Sequence, residues 1–207
     1  INPFYMVCYS YNGGETKISA DLSSYMNGYQ DPRREIYGVT STFDESENIT
    51  NGFHGLRVGN EYPIKTGQCY SNVKVEVSSP IMWMNAAEVM FLRAEAALRG
   101  WDTEKTPKAY YEAGIRLSFE QLGAKNVEDY LVSTNTPESY KDPLGTYSFS
   151  GTPSTISVQW KDGNFEESLE RIITQKWIAN FPLGLEAWAE FRRTGYPKLM
   201  GTASNKS

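Results

Sequence analysis

The fold of this chain is decided near its C-terminal end by the stretch Ile172-Ile-Thr-Gln-Lys-Trp-Ile-Ala-Asn-Phe-Pro-Leu-Gly-Leu-Glu-Ala-Trp-Ala-Glu-Phe-Arg-Arg-Thr-Gly-Tyr-Pro197. In its first half, Ile173 and Trp177 continue a four-residue apolar spacing that begins at Leu169. This spacing predicts an amphipathic helix over residues 166–181. Because proline and glycine interrupt helices, the sequence Pro-Leu-Gly that follows ends it.

The second half of the stretch predicts another helix. It carries Leu185, Trp188 and Phe191 at intervals of three residues, and Gly195 and then a proline follow its last turn. Aromatic residues at helical spacing are more typical of a core than of a binding surface. We therefore expect Trp177, Trp188 and Phe191 to be buried.

A second helical region begins after Pro80. Apolar residues at spacings of three and four predict a helix over residues 81–99, and they are Met84, Ala87, Phe91, Ala94 and Leu98. Thr106 followed by Pro107 is typical of an N-cap and a first helical residue, and Gly123 is suited to end that next helix after Leu122. The short connection predicts that the two helices are antiparallel neighbours.

The remaining segments predict little regular structure. A strand is expected where Val73, Val75 and Val77 alternate with polar residues, and a brief helix over residues 127–132. The predicted fold is mainly α, with long irregular loops, a little β and helices packed as antiparallel pairs. It divides into a loop-rich region at 1–80, a helical region at 81–200 with a long loop at 134–165, and a polar tail at 201–207.

Composition excludes several kinds of function. The net charge of −5 and a pI near 5.1 argue against a nucleic-acid partner, which would favour a basic surface. Cys8 and Cys69 form either one disulfide or two buried thiols, and with His54 as the single histidine they do not complete a zinc site. No apolar run reaches transmembrane length. Because the chain opens at Ile1 without methionine, we expect a fragment or a processed product.

Carboxylate chemistry is the main catalytic alternative. Glu88 and Glu95 share one predicted helix face, and Glu186 and Glu190 share another beside the pair Arg192–Arg193. Such spacing is typical of ion pairs along helices and gives no evidence for the two different pKa values that a catalytic pair needs. No nucleophile elbow or phosphate-binding glycine loop occurs, so we expect no catalytic residues and no enzyme activity.

No cofactor is expected either. Asp44, Ser46 and Asn48 imitate the start of a calcium-binding loop, but the later glycine and glutamate are missing. The sequence leaves open whether separate loops together hold a structural calcium ion.

Aromatic residues are the better indication of function, since they make up 14% of the chain. Tyrosine and tryptophan rings stack on the apolar faces of sugars, and polar loops between them can bind hydroxyl groups. The irregular segments hold many such rings, including Tyr25, Tyr62, Tyr140 and Tyr147. The ligand-binding candidates predicted from these segments are Tyr9, Tyr11, Tyr29, Tyr37, Phe53, His54 and Trp160.

The C-terminal stretch also resembles a family signature. With the blocks Met84-Asn-Ala-Ala-Glu-Val-Met-Phe-Leu-Arg-Ala-Glu-Ala-Ala-Leu-Arg-Gly-Trp101 and Tyr111-Glu-Ala-Gly-Ile115, it is similar to the C-terminal part of the SusD/RagB-like nutrient-binding outer-membrane lipoproteins. The three blocks occur in the family's order. The resemblance implies a structural role in the scaffold for Glu88, Glu95, Trp177, Glu186, Trp188, Arg192 and Arg193.

The resemblance implies a role at the cell surface. Members of this family are mostly helical, lipid-anchored in the outer membrane, and capture oligosaccharides, or in some cases peptides, for a SusC-like TonB-dependent transporter. The expected partners are therefore an oligosaccharide, that transporter and an N-terminal portion of the same protein. Without that portion, the apolar stripes at 84–98 and 169–181 are expected to lie open, and intact material is expected to contain a second polypeptide. A glycan-degrading enzyme and a purely structural subunit remain the alternatives.

Overall fold

The computed structural model describes residues 1–11, 13–41, 52–60, 69–101 and 103–204. They form two compact units. Unit 1 contains residues 1–81, 137–153 and 200–207, and unit 2 contains residues 82–136 and 154–199. Their helices are α1 (Pro3–Tyr5), a π-helix (Met6–Tyr11), α2 (Ala20–Gly28), α3 (Arg34–Tyr37), α4 (Ala86–Leu98), α5 (Pro107–Leu122), α6 (Val127–Leu131), α7 (Phe165–Ala179) and α8 (Gly184–Thr194).

Unit 2 is built from α4 to α8, and local sequence explains the ends of its helices. The Asn85 side chain accepts the Ala87 amide at 2.9 Å and begins α4. Thr106 caps α5 in the same way, with Pro107 as the first helical residue, and Gly123 ends the helix with a φ of +68°. The helices predicted from the sequence are confirmed here, except that α4 begins at Ala86 and not at residue 81, and α4 packs against both α5 and α7.

The core of unit 2 depends on a close approach between α4 and α5. The Phe91 ring lies so near Gly114 that a Cβ atom on this glycine would be 2.8 Å from the ring. The predicted stripe on α4 is buried at Ala87, Phe91 and Ala94. Helices α5 and α7 pack on α4, and on α7 Leu169 and Ile173 are buried as well. Our expectation that these two stripes lie open is therefore wrong, except at Met84, which is 84% exposed.

Unit 1 holds more helix and less strand than the sequence predicts. Helix α2 begins where the Ser19 hydroxyl accepts the Leu22 amide at 3.1 Å, and most of its residues are buried. The strand expected at Val73, Val75 and Val77 is wrong, because this segment makes only isolated bridges in the described part of unit 1. Val73 is buried and Val77 is 46% exposed, so the alternating valines do not share one buried face.

Two distant segments complete the core of unit 1. Tyr140 and Met200 pack on Ala20 at the start of α2, with Phe149 against them. The Asp21 carboxylate accepts the Met200 amide at 2.7 Å. Parts of the chain far apart in sequence therefore enclose α2.

Candidate ligand-binding pocket

A pocket of about 260 Å³ lies within unit 1. Three chain segments form it: one side of α2, the loop that follows Gly52, and the segment after Pro137. Its lining residues are Ser23, Ser24, Asn27, Phe53, His54, Glu138, Ser139, Tyr140 and Lys141. Pockets for drug-sized ligands measure about 300–1,000 Å³, so this one suits a single small unit of a larger molecule.

Helix α2 fixes the loop that carries the aromatic wall. The Ser23 hydroxyl donates to the Ala20 carbonyl and accepts the Gly55 amide, both at 3.0 Å. One turn further along, the Asn27 amide group donates to the Phe53 carbonyl at 2.9 Å. The loop is therefore held on both sides of His54.

Glycine residues let the two aromatic rings lie close to the backbone. A Cβ atom on Gly38 would be 2.4 Å from the Phe53 ring, and one on Gly52 would be 2.6 Å from the His54 ring. The His54 backbone is fixed as well, because its amide donates to the Ser71 hydroxyl at 3.0 Å and its carbonyl accepts the Ser71 amide at 2.7 Å. The wall formed by Phe53 and His54 is thus pre-formed.

The third wall is joined to α2 and to the loop by hydrogen bonds. The Glu138 amide donates to the Ser24 carbonyl at 3.1 Å, and the Ser24 hydroxyl donates to the Glu138 carbonyl. The Tyr140 hydroxyl donates to the Gly55 carbonyl at 2.7 Å. Burial, together with the nearby Asp142 carboxylate, raises the pKa of Tyr140 above its usual range, so this hydroxyl remains a donor.

The rim of the pocket provides groups for a polar ligand. The side chains of Glu138 and Lys141 are exposed, and Ser139 lies between them. The carboxylate accepts hydrogen bonds, the ammonium group donates them, and a hydroxyl can do both. The half-buried His54 ring lies close by, together with the Phe53 ring, which is 8% exposed, so this mixture fits a ligand with many hydroxyl groups and a small apolar face.

Phe53 and His54 are the predicted ligand residues that line this pocket. Tyr9 is half-buried and donates its hydroxyl to the Val73 carbonyl, and Tyr11 is 79% exposed. For Tyr29 and Tyr37 the prediction is corrected, because the two rings are only 2% and 4% exposed and present no free face.

Trp160 belongs to unit 2. It is half-buried, its indole N–H donates to Asp162 at 2.9 Å, and its ring lies 5.3 Å from that of Tyr111. The segment with Asp44, Ser46 and Asn48, which imitates only the start of a calcium-binding loop, lies outside the described residues, as does Tyr62. Whether Tyr9, Tyr11 or Trp160 contacts a ligand stays a prediction.

Three of the family-signature residues, Glu88, Glu95 and Arg193, form a chain of ion pairs in unit 2 together with Lys176 and Glu190. On α7, the Lys176 ammonium lies 3.2 Å from the Glu88 carboxylate and 3.0 Å from that of Glu190. Arg193 then contacts Glu190 and Glu95, both at 2.6 Å. This chain joins α4, α7 and α8 and gives these glutamates a structural role.

The expectation that Trp188 lies in the core is wrong. Its side chain is 58% exposed, its ring stacks on Phe191 at 6.2 Å, and the Arg192 guanidinium lies 5.9 Å from the ring centre. Glu186 and Arg192 are exposed too, whereas Trp177 is half-buried. The physical reason is that α8 buries no residue fully and is held largely by charge.

Glu95 supports a prediction on pH. Burial alone would raise the pKa of its carboxyl, but hydrogen bonds from Arg193 and Arg99 outweigh burial and hold the pKa below its usual range. A carboxyl group whose pKa is lower in the folded state than in the unfolded chain stabilises the fold at pH values above its unfolded pKa of about 4.3. This stabilisation is lost as the pH falls through the pKa of the folded state. We expect Glu95→Gln to cost about 1–2 kcal/mol at pH 7.

The measurement is urea unfolding of the wild type and Glu95→Gln at several pH values. The difference in the free energy of unfolding between the wild type and Glu95→Gln should shrink as the pH falls below about 4.3. The matched control is Glu104→Gln, because this carboxylate is 81% exposed and lies 3.5 Å from Arg93. A difference that stays constant down to pH 2 would contradict the assignment.

Several other features bear on the kind of site. In the described ranges, no three His, Cys, Asp or Glu residues are placed to hold a metal ion. Both cysteines are buried as free thiols, and burial raises the pKa of Cys69 to about 11. None of the helices in the described part of the chain combines the length and apolarity needed to cross a membrane.

Comparison with known proteins places the chain in a family. The family "Susd and RagB outer membrane lipoprotein" matches residues 1–207. A SusD homologue from Bacteroides ovatus is 48% identical with a TM-score of 0.90, covering 99% of this chain and 43% of its own. One from Bacteroides thetaiotaomicron is 45% identical with a TM-score of 0.90, covering 98% and 43%.

A third solved structure is of a relative that is described as chitin-binding. The chitin-binding SusD homologue from Flavobacterium johnsoniae is 40% identical with a TM-score of 0.87, covering 99% of this chain and 42% of its own. No curated protein matches the chain. The chain belongs to the SusD-like family, and it spans less than half the length of these solved relatives.

Proposed function

We propose that this protein binds oligosaccharides without catalysing their cleavage, as part of a lipoprotein on the outer face of the outer membrane. The observation that carries the proposal is the pocket in unit 1. There a fixed aromatic wall, Phe53 and His54, stands beside the polar rim formed by Glu138, Ser139 and Lys141. Family membership and the chitin-binding relative support a glycan as the ligand class.

The contacts of the glutamates favour binding over glycan hydrolysis. A glycosidase needs an acid of raised pKa across a cleft from a second carboxylate. Glu88, Glu95 and Glu190 are instead held by Lys176 or Arg193. For Glu95 the hydrogen bonds from Arg193 and Arg99 hold the pKa below its usual range, which is unsuited to a general acid.

The proposed partners beyond the ligand are a SusC-like TonB-dependent transporter and an N-terminal polypeptide portion. In support, unit 2 exposes large apolar side chains, and the solved relatives are more than twice as long as the share matched here. These side chains are Trp83 at 87%, Met84 at 84%, Leu185 at 85% and Trp188 at 58% exposure. Exposed apolar surface of this kind is typical of contact with another polypeptide.

The single histidine allows a direct test, because the His54 imidazole gives one set of proton NMR signals. Titration with soluble chitin oligosaccharides, followed by a panel of other oligosaccharides, is expected to shift these signals. Lys141→Ala should weaken binding roughly five- to tenfold, since one charge-assisted hydrogen bond at an exposed rim is lost.

Lys161→Ala is the matched control, because Lys161 is an exposed lysine of unit 2 that does not line the pocket. It should bind like the wild type. Affinity electrophoresis on a polysaccharide panel gives an independent measure. If a glycan is retained while the His54 signals stay unmoved, the pocket is the wrong site. If no glycan binds by either method, the proposed ligand class fails.

A further inference from the structure

One arginine holds the segment that forms the third wall of the pocket. We propose that Arg57, which does not itself line the pocket, is a positioning residue that fixes residues 138–149 in the place where they complete the site. The inference takes its functional meaning from the proposed binding role. Its test needs no sugar, so the two can fail separately.

The geometry of Arg57 is that of a clamp on three backbone carbonyls. One terminal nitrogen donates to the carbonyls of Tyr147 and Ser148, at 3.0 and 3.1 Å. The other terminal nitrogen and Nε donate to the Gly201 carbonyl, at 2.9 and 3.2 Å. A guanidinium group has five N–H donors in a planar fork, and here that fork joins two remote segments to one loop.

The surroundings of Arg57 keep the fork in place. The guanidinium lies 5.3 Å from the centre of the Phe149 ring, within the range of a cation–π contact. On the neighbouring residue, the Val58 carbonyl accepts the Ala203 amide at 2.7 Å. The arginine side chain is half-buried.

The clamp is connected to the pocket through a short path. The Phe149 amide, next to Ser148, donates to the Tyr140 carbonyl at 2.9 Å, and Tyr140 lines the pocket. A second anchor acts on the same segment, because the Asp142 carboxylate accepts the Tyr147 amide at 3.0 Å and the Tyr70 hydroxyl at 2.7 Å. Arg57 therefore fixes the position of residues 147 and 148 at the end of this segment, while Asp142 fixes the position of its middle part.

The two anchors predict a local effect when Arg57 is replaced. In Arg57→Gln, the carbonyls of Tyr147, Ser148 and Gly201 lose their donor, but the Asp142 contacts remain. The chain should stay folded while residues 138–149 become mobile. Hydrogen–deuterium exchange of peptides from this segment, measured without sugar, is expected to accelerate at least tenfold. Peptides from α4 and α5 should exchange as in the wild type.

A variant that keeps the charge separates geometry from electrostatics. Arg57→Lys has one ammonium in place of the planar fork, so we expect its exchange in 138–149 to resemble that of Arg57→Gln. The matched control is Arg116→Gln on α5, whose partners Glu112 and Glu128 are surface residues. This control should leave exchange in 138–149 unchanged.

A second readout reports on the pocket itself. The NMR signals of His54 should shift in Arg57→Gln without any sugar present and should not shift in Arg116→Gln. The inference would be overturned if exchange in 138–149 were unchanged in Arg57→Gln, or if it accelerated uniformly across the whole chain. It would also be overturned if Arg57→Lys kept the protection of the wild type in this segment. A local acceleration with unmoved His54 signals would also overturn it, since the wall would then be mobile without affecting the site.

Discussion

Replacing Asp31 by asparagine is expected to lower the free energy of unfolding by about 3–5 kcal/mol, the usual cost of removing one partner from a buried ion pair. Asp31 and Arg33 are fully buried in unit 1, with side chains at 0% exposure and a separation of 2.6 Å. The carboxylate also accepts the Arg33 backbone amide at 2.9 Å. Asparagine keeps that acceptor and removes the charge.

The size of the effect follows from the buried cation that remains. An arginine cannot lose its proton in a protein, so the charge of Arg33 would persist after the charge of Asp31 is removed. A companion variant, Asp31→Asn with Arg33→Met, removes both charges and retains the side-chain acceptor. We expect it to be more stable than either single variant, because burying two charges costs much of what their pairing returns.

Urea unfolding of the single and double variants provides the measurement. Glu104→Gln is again the control, since its pair with Arg93 is exposed and should matter little. A loss below about 1 kcal/mol in Asp31→Asn would contradict the buried pairing, as would a double variant whose loss equals the sum of the two single losses.

The helices of unit 2 were predictable because their signals are local. Thr106, Pro107 and Gly123 mark both ends of α5, and each acts within a few residues of its own position. The apolar spacing of α4 likewise identifies the residues that face α5 and α7. Such signals need no knowledge of the rest of the chain, so the sequence alone is enough to find them.

Unit 1 was harder to predict because its structure depends on distant contacts. Helix α2 has weak amphipathic character, since polar Asp21, Ser23 and Ser24 are buried beside its apolar residues. The valines near residue 75 alternate as in a strand, yet the segment gains only isolated bridges. Residues far away in sequence, such as Tyr140 and Met200, decide what is buried, and no local pattern contains that information.

The pocket, too, could be predicted only where its signals are local. Composition and turn-rich sequence predict Phe53 and His54 as ligand-binding residues, and both line the pocket. The polar residues of α2 and the Glu138–Lys141 wall were missed, because they meet only when a segment more than a hundred residues away folds onto α2. Ser24 and Glu138, for example, are 114 positions apart. A serine-capped start at Ser19 was the one local signal that could have revealed α2.

Helix α8 shows what apolar spacing in a sequence cannot predict. Its aromatic spacing predicted a core position, but charged contacts through Glu190 and Arg193 hold it, and Trp188 stays exposed. A period in the sequence identifies which residues share a face of a helix. It does not show whether that face is covered by the same chain or by another.

Replacing Gly55 by alanine is expected to destabilise unit 1 by about 3 kcal/mol or more, beyond the typical range for overpacking. The loop carrying Gly55 runs beside the start of α2, where the Leu56 amide donates to the Ile18 carbonyl at 2.7 Å and the Ala20 amide donates to the Leu56 carbonyl at 2.9 Å. A Cβ atom on Gly55 would lie 2.1 Å from the Ser19 carbonyl oxygen. Backbone atoms held from both sides cannot move away.

The consequences should reach the pocket, because the same glycine joins two of its walls. Its amide donates to the Ser23 hydroxyl at 3.0 Å, and its carbonyl accepts the Tyr140 hydroxyl at 2.7 Å. Gly55→Ala should therefore lower the thermal unfolding temperature and shift the His54 NMR signals. Gly201→Ala is the matched control in unit 1, since a Cβ atom there would meet no atom within 4 Å. Equal unfolding temperatures for the two variants would show that the close approach of Gly55 to α2 is not a constraint on the fold.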